Sequence, residues 1–322
     1  MAANVEQPPS SPPAPKPKEI LGDIGIAGGD MRHDGDLNIG GDIRDGMTVE
    51  SGGSIRVGKG VSASTVSAKG SITVVGSINA RGKGRCTCGG SITFHHANGA
   101  HIEAQGDVLG AIEIVACDIV TFGAVNCELA HIYGGHICAT GGLTCATLGS
   151  PNGMATLIEV GIDERLRRLG STRAPEIVTN RHKIAKVRAE LAPLQKREKQ
   201  LTAPQKELVT TLYYESAELE EQTETLIRDL RRLIGALEPR CKSEITVKDR
   251  IHPGTTIRFR DLEFPVTDTL VGPLTISRKL TAHGAQMLIN FEKPEDRKPC
   301  SFHPYADPQL SALFHAVGKK AA

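Results

Sequence analysis

The sequence has no tryptophan, and aromatic residues make up only 3% of it. Any core must therefore be built from small aliphatic side chains. Proline is missing between Lys18 and Ser150, although the chain carries 18 prolines. Glycine is abundant over that same stretch, with 28 of 35 falling between Gly22 and Gly153. Glycine without proline argues against collagen and against a disordered linker. It suits tight turns between short strands that cannot spare a backbone N–H. A surplus of either charge is also missing: 38 basic residues stand against 37 acidic ones. No bulk attraction to nucleic acid or to an anionic membrane follows from that balance. There is no run of 18 apolar residues, and the start, MAANVEQPPSSPPAPKPKEIL, has no apolar signal region. The expected location is the cytoplasm, where the eight cysteines stay reduced thiols.

What is present divides along the chain. Residues 1–20 hold six prolines and read as a disordered leader. Residues 21–162 carry a repeat. Leu37, Ile43, Val49, Ile55 and Val61 stand six apart, and the series continues as Val66, Ile72, Ile78, Cys86, Ile92, Ile102 and Val108. Of the twelve residues that follow these anchors, eleven are polar, Leu109 being the exception. In–out–in over three residues is strand alternation in segments too short to be hairpin arms. Three such segments make one coil of a solenoid that stacks by parallel hydrogen bonding. Gly-Ser or Gly-Asp corners at Gly35, Gly53, Gly70, Gly90 and Gly106 mark the coils.

The composition changes after Asp163. Residues 162–240 hold 29 of the 75 charged residues and two glycines. Ile177, Ile184, Val187, Leu191, Leu194 and Leu201 form one heptad seam. Leu208, Leu212, Leu219, Leu226, Leu230, Leu233 and Leu237 form another. Thr202-Ala203-Pro204 between them reads as a helix cap followed by an early-helix proline. The spacing predicts an antiparallel coiled-coil hairpin over residues 163–240. Arg181, Lys183, Lys186 and Arg188 are expected to face Glu224, Glu221, Glu220 and Glu218, with Pro175 near the first helix start. Strand pattern returns over residues 241–290 and completes the β-helix. A tail, residues 291–322, ends in a short amphipathic helix capped by Asp307. Its stripe, Leu310, Leu313, Phe314 and Val317, is a candidate interaction face, or a cap over an open solenoid end.

Catalytic chemistry is hard to find. GSIRVGKG (residues 53–60) imitates a phosphate loop but lacks the Ser/Thr after Lys59 and the helix that must follow. Cys86 and Cys88, with His95 and His96 nearby, are the candidate metal ligands. Alternation puts both sulfurs inside the solenoid, where cysteine serves as a small hydrophobe, so no metal and no cofactor is expected. Hexapeptide-repeat acyltransferases share the six-residue aliphatic period but want a small residue next to each anchor. Here that place holds Asn38, Arg44, Glu50 or Arg56.

The blocks GDLNIGGDIRDGMTVESGGSIRVGKGVSASTVSAKGSI, TLGSPNGMATLIEVGID (residues 147–163), a helical hairpin and ITVKDRIHPGTTIRF occur in an order that resembles the flagellar assembly protein A family. The resemblance covers about Gly22 to Ile276, and the Pro-rich leader stands where members carry a folded domain. It implies a mainly β fold: a right-handed parallel β-helix interrupted by an antiparallel coiled-coil hairpin. It also implies a cytoplasmic bacterial protein of flagellar or cell-surface organisation without catalytic residues. The expectation is a non-enzymatic scaffold that engages a protein partner through the hairpin or the C-terminal helix, with self-association open to it. The alternatives are a bactofilin-like self-assembling polymer and a degenerate hexapeptide-repeat transferase.

Overall fold

The computed structural model describes residues 16–26, 28–197, 201–281 and 284–318. The disorder expected of residues 1–15 lies outside that range. The chain forms two compact units, one up to Ile132 and one from Tyr133.

In the first unit the aliphatic anchors fall on three columns of parallel pairs. Leu37, Ile55, Ile72, Ile92 and Val108 are successive partners in one. Val49, Val66, Cys86, Ile102 and Ile119 make the second. Ile24, Ile43, Val61, Ile78, Ala97 and Ile114 make the third. Anchors six residues apart thus sit on successive faces, and the chain regains the first face at Ile55, 18 residues after Leu37. Every member of the three columns is buried. This is a parallel β-solenoid, the architecture the spacing predicts.

The Gly-Ser and Gly-Asp corners have a specific task. At a corner such as Gly70 the glycine N–H still bonds the glycine carbonyl one coil below, that of Gly53, at 2.8 Å, but the next N–H needs a side-chain acceptor. Asp36 Oδ1 accepts from Ser54 N at 2.7 Å, and Ser54 Oγ accepts from Ser71 N at 3.1 Å. Ser71 then serves Ser91, Ser91 serves Asp107, and Asp107 serves Ala124, at 2.8–3.1 Å. The glycine before each is there for close approach. A Cβ on Gly53 would lie 2.2 Å from Asp36 Oδ1, and one on Gly106 would lie 2.5 Å from Ser91 Oγ. The dipeptide is therefore one unit: glycine makes room for the acceptor below, and Ser or Asp supplies the acceptor above.

In the second unit Gly135–Ala139 pairs parallel with Thr156–Val160, which pairs in turn with Thr255–Arg258. Leu143–Leu148 pairs parallel with Glu244–Ile251. Between Val160 and Glu244 the chain leaves the sheet as two helices, α1 (Glu164–Gln195) and α2 (Ala203–Leu237), so the solenoid carries a helical insert. The returning segment adds parallel pairs only as far as Arg258. The pairing then becomes antiparallel: Leu262–Pro265 folds back onto Thr255–Arg258 after a short turn, and Leu274–Thr281 returns along Glu244–Ile251. Gly284–Phe291 adds a further antiparallel strand. These strands cover an edge that would otherwise offer unpaired N–H and C=O groups to another chain. The tail helix α3 (Pro308–Ala316) packs on α1.

Candidate functional site

In the second unit α1 packs on α2 as a helical hairpin, and its seat is built around one buried arginine. Asp163 caps α1: its carboxylate accepts from the N–H of Arg165 at 2.9 Å. One turn into the helix, Arg167 lies 7% exposed. Its guanidinium grips Glu159 with two bonds of 2.7 and 2.8 Å, and its Nε donates to Asp307 at 2.5 Å. Asp307 in turn caps α3, accepting from the N–H groups of Gln309 and Leu310 at 3.0 and 2.9 Å. One side chain therefore ties a sheet strand, the root of α1 and the start of α3. His136 bonds Glu159 from the sheet side at 2.8 Å, and Glu164 lies 3.4 Å from Arg167. Burial pushes the Glu159 carboxyl up, but His136 and Arg167 outweigh it and hold the group at about 2. Burial lowers Arg167, and the same carboxylates more than reverse that. An arginine stripped of these partners would be an uncompensated buried charge, costing several kcal/mol, about 3–5.

Around this hub α3 is clamped at both ends. Arg231 of α2 donates to the carbonyl of Val317 from Nε and Nη2, at 2.9 and 2.6 Å. The guanidinium of Arg260 lies 4.0 Å from the Phe314 ring centre. Leu310, Leu313, Phe314 and Val317 are all buried. The stripe is thus buried within the second unit, against α1 and beside Ile162, Ser243 and Arg260, and presents no free face. The close seat requires Gly170, where a Cβ would meet the Gln309 carbonyl oxygen at 2.1 Å.

Beyond the root, α1 buries Ile177, Ile184, Val187 and Leu191 of the expected seam, whereas Leu194 is only half-buried and Leu201 lies past the end of the helix. In α2 the seam differs from the leucine series. Ser216, Thr223, Leu230 and Ile234 are its buried residues, while Leu208 and Leu233 stay 50% and 46% exposed. The two polar residues fit because each satisfies its hydroxyl locally, Thr223 on the Leu219 carbonyl and Ser216 on Glu220. The ion pair across the hairpin is Arg188 with Glu220 at 2.9 Å, two residues on from the expected Glu218. Pro175 does not start α1 but lies well inside it, because Asp163 supplies an earlier cap. Thr202 does begin α2, with its N–H held by the Gln205 side chain at 2.9 Å.

The candidate metal ligands are not brought together. Cys86 stacks between Val66 and Ile102, Cys88 between Ala68 and Ala104, and both are 2% exposed. His95 is exposed, and His96 lies beside Glu113 on the outer surface. Burial pushes the Cys86 thiol up to about 12 and the Cys88 thiol up to about 11, away from the thiolate that metals and electrophiles need. Among the described residues no group of three His, Cys, Asp or Glu side chains could hold a metal ion. No described helix is long and apolar enough to cross a membrane.

No signal in the spacing points to the Arg167 hub. Glu159 sits in TLIEV (residues 156–160), a charge inside a buried apolar run, and Arg167 sits beside Leu166 in a charged stretch. An ion inside an apolar strand asks for a buried counter-ion, and that is the available clue.

Residues 18–281 match the Flagellar Assembly Protein A beta solenoid domain, FapA. No curated protein and no solved structure matches the chain. The match spans the coils, the helical insert and the antiparallel strands as far as Thr281, and leaves Gly284–Phe291 and α3 outside it. The chain belongs to the flagellar assembly protein A family.

Proposed function

We propose that this chain is a non-enzymatic scaffold of flagellar or cell-surface organisation in the bacterial cytoplasm. The solenoid supplies a stiff frame, and the hairpin presents a recognition surface to a protein partner. The observation that carries this reading is the buried Arg167 hub, which ties sheet, α1 and α3 at the root of the hairpin. A helix pair held that way keeps its direction, as a display element must, while its outer surface stays charged and exposed. The interior cysteines then have a packing role and no chemical one.

The reading is tested in the host bacterium by removing residues 178–230 and closing the helices with a short turn, which spares Arg167 and Arg231. Flagella are counted by electron microscopy, with the protein level checked by immunoblot. The truncated protein is expected to reproduce the defect of a complete deletion. Normal flagellation with the truncated protein would overturn the assignment of recognition to the hairpin.

A further inference from the structure

The first described coil breaks the pattern of the coils that follow it. Lys18 holds the place that Leu37, Ile55, Ile72, Ile92 and Val108 hold in its column, and it is exposed. Its ammonium reaches to 3.5 Å from Met31 Sδ, on another face of the same coil. Nearby, Leu21 and Ile26 are 93% and 87% exposed, and Ile20 and Met31 are only half-buried. Lys18–Ile20 and Met31–His33 each pair on one side only, and Ile24 bridges only Ile43. Among the described residues no strand takes their other edge. A bare sheet edge beside apolar side chains recruits other chains, and an inward-pointing charge is one way in which proteins prevent it.

We propose that this end of the solenoid is a latent interface for the same end of a second copy, held open by the charge of Lys18. Two such ends meet about a two-fold axis perpendicular to the coil stack, so the facing strands run antiparallel. In a three-faced coil that axis keeps one face opposite itself and exchanges the other two. Keeping the face of Lys18–Ile20 sets Glu19 on the second copy's Glu19. Keeping the face of Met31–His33 sets Arg32 on the second copy's Arg32. Keeping the face of Ile24 sets Glu19 against Arg32 twice, and Ile20 against Met31 twice. Both outward charge and inward apolar surface then match, and Arg32 already holds Glu50 of the next coil at 3.5 Å. Lys18 is the misfit, because it falls inside, opposite His33. The inward places of this coil, Lys18, Ile20, Ile24, Met31 and His33, hold no carboxylate. Pairing would therefore bury the ammonium without a counter-charge.

The test is sedimentation velocity of the full chain at about 100 μM, well above a micromolar Kd. K18I should tighten self-association at least about a hundredfold over the wild-type chain and give a species of twice the chain mass. K18A, which removes the charge without adding apolar bulk, should move the same way by a smaller step. K18R keeps the cation and should behave as the wild type. The register is read on the K18I background. K18I/E19K and K18I/R32E each set like charges together and should dimerise less than K18I. An equimolar mixture of those two should restore the dimer, since every facing pair then joins opposite charges. That rescue cannot come from misfolded protein. The proposal is overturned if neither K18I nor K18A associates more than the wild type, or if K18R associates as K18I does. Charge variants that leave the K18I dimer unchanged would overturn it too. None of these results bears on the flagellar count of the truncated protein, so the two readings fail separately.

Discussion

Ile72 and Thr73 are adjacent, yet Ile72 is fully buried between Ile55 and Ile92 while Thr73 stacks on Arg56 and Thr93 outside. An aspartate at the first position would be a buried unpaired charge, and Ile72→Asp is expected to cost about 3 kcal/mol or more. Thr73→Asp should stay within about 0.5 kcal/mol of neutral. Denaturant melts of the two variants check this, and equal losses would refute the register. Glu159 gives a second residue-scale prediction. Its carboxyl is held at about 2 against an ordinary 4.5, so its stabilisation is complete above 4.5 and fades as pH falls toward 2. From pH 6 to pH 3 this group should remove about 2 kcal/mol of stability. Glu164, raised by burial, offsets part of that fall. Glu159→Gln should flatten the acid slope; an unchanged slope would mean that the hub does not hold Glu159 ionised. The inward anchors are legible in the sequence because alternation is strictly local. The hub is not, because Arg167 and Asp307 are 140 residues apart and no local period links them.

Among elements, the two hairpin glycines make a controlled pair. Both sit inside helices, where glycine costs about 1 kcal/mol relative to alanine. A Cβ on Gly235 would meet no atom within 4 Å, whereas Gly170 is pressed against the Gln309 backbone. Gly235→Ala should therefore stabilise by about 1 kcal/mol. Gly170→Ala should destabilise by about 1–3 kcal/mol, because α3 has to move. Thermal melts of both decide it, and stabilisation by both would show that α3 is not seated on α1. The existence of both helices and the cap at Thr202 can be read from charge, glycine depletion and leucine spacing. The seam of α2 cannot, because leucine spacing ignores Ser216 and Thr223, whose hydroxyls are satisfied within their own helix. Pro175 misplaces the start of α1 for another reason: proline favours a first turn, whereas here it lies inside the helix, where it supplies no backbone N–H. The antiparallel pairing after Arg258 is also illegible, since alternation reports which face is buried and not which direction the neighbour runs.

At the scale of the molecule, labour is divided. In the second unit the sheet and the Arg167 hub form a frame at the root of the hairpin, and residues 178–230 supply none of the clamps on α3. Corner acceptors such as Ser54 and Ser71 are satisfied within the first unit, and the clamps on α3 are Arg167, Arg231 and Arg260, all of which lie outside residues 178–230. The decisive experiment is the thermal melt of purified protein lacking residues 178–230, followed by circular dichroism at a β-sheet wavelength beside the full chain. A frame independent of the distal hairpin should keep its β signal and show a cooperative transition lowered by no more than about 2–4 °C, the equivalent of about 1 kcal/mol in a protein of this size. A truncated protein that loses its β signal, or melts without cooperativity, would refute the division between frame and hairpin.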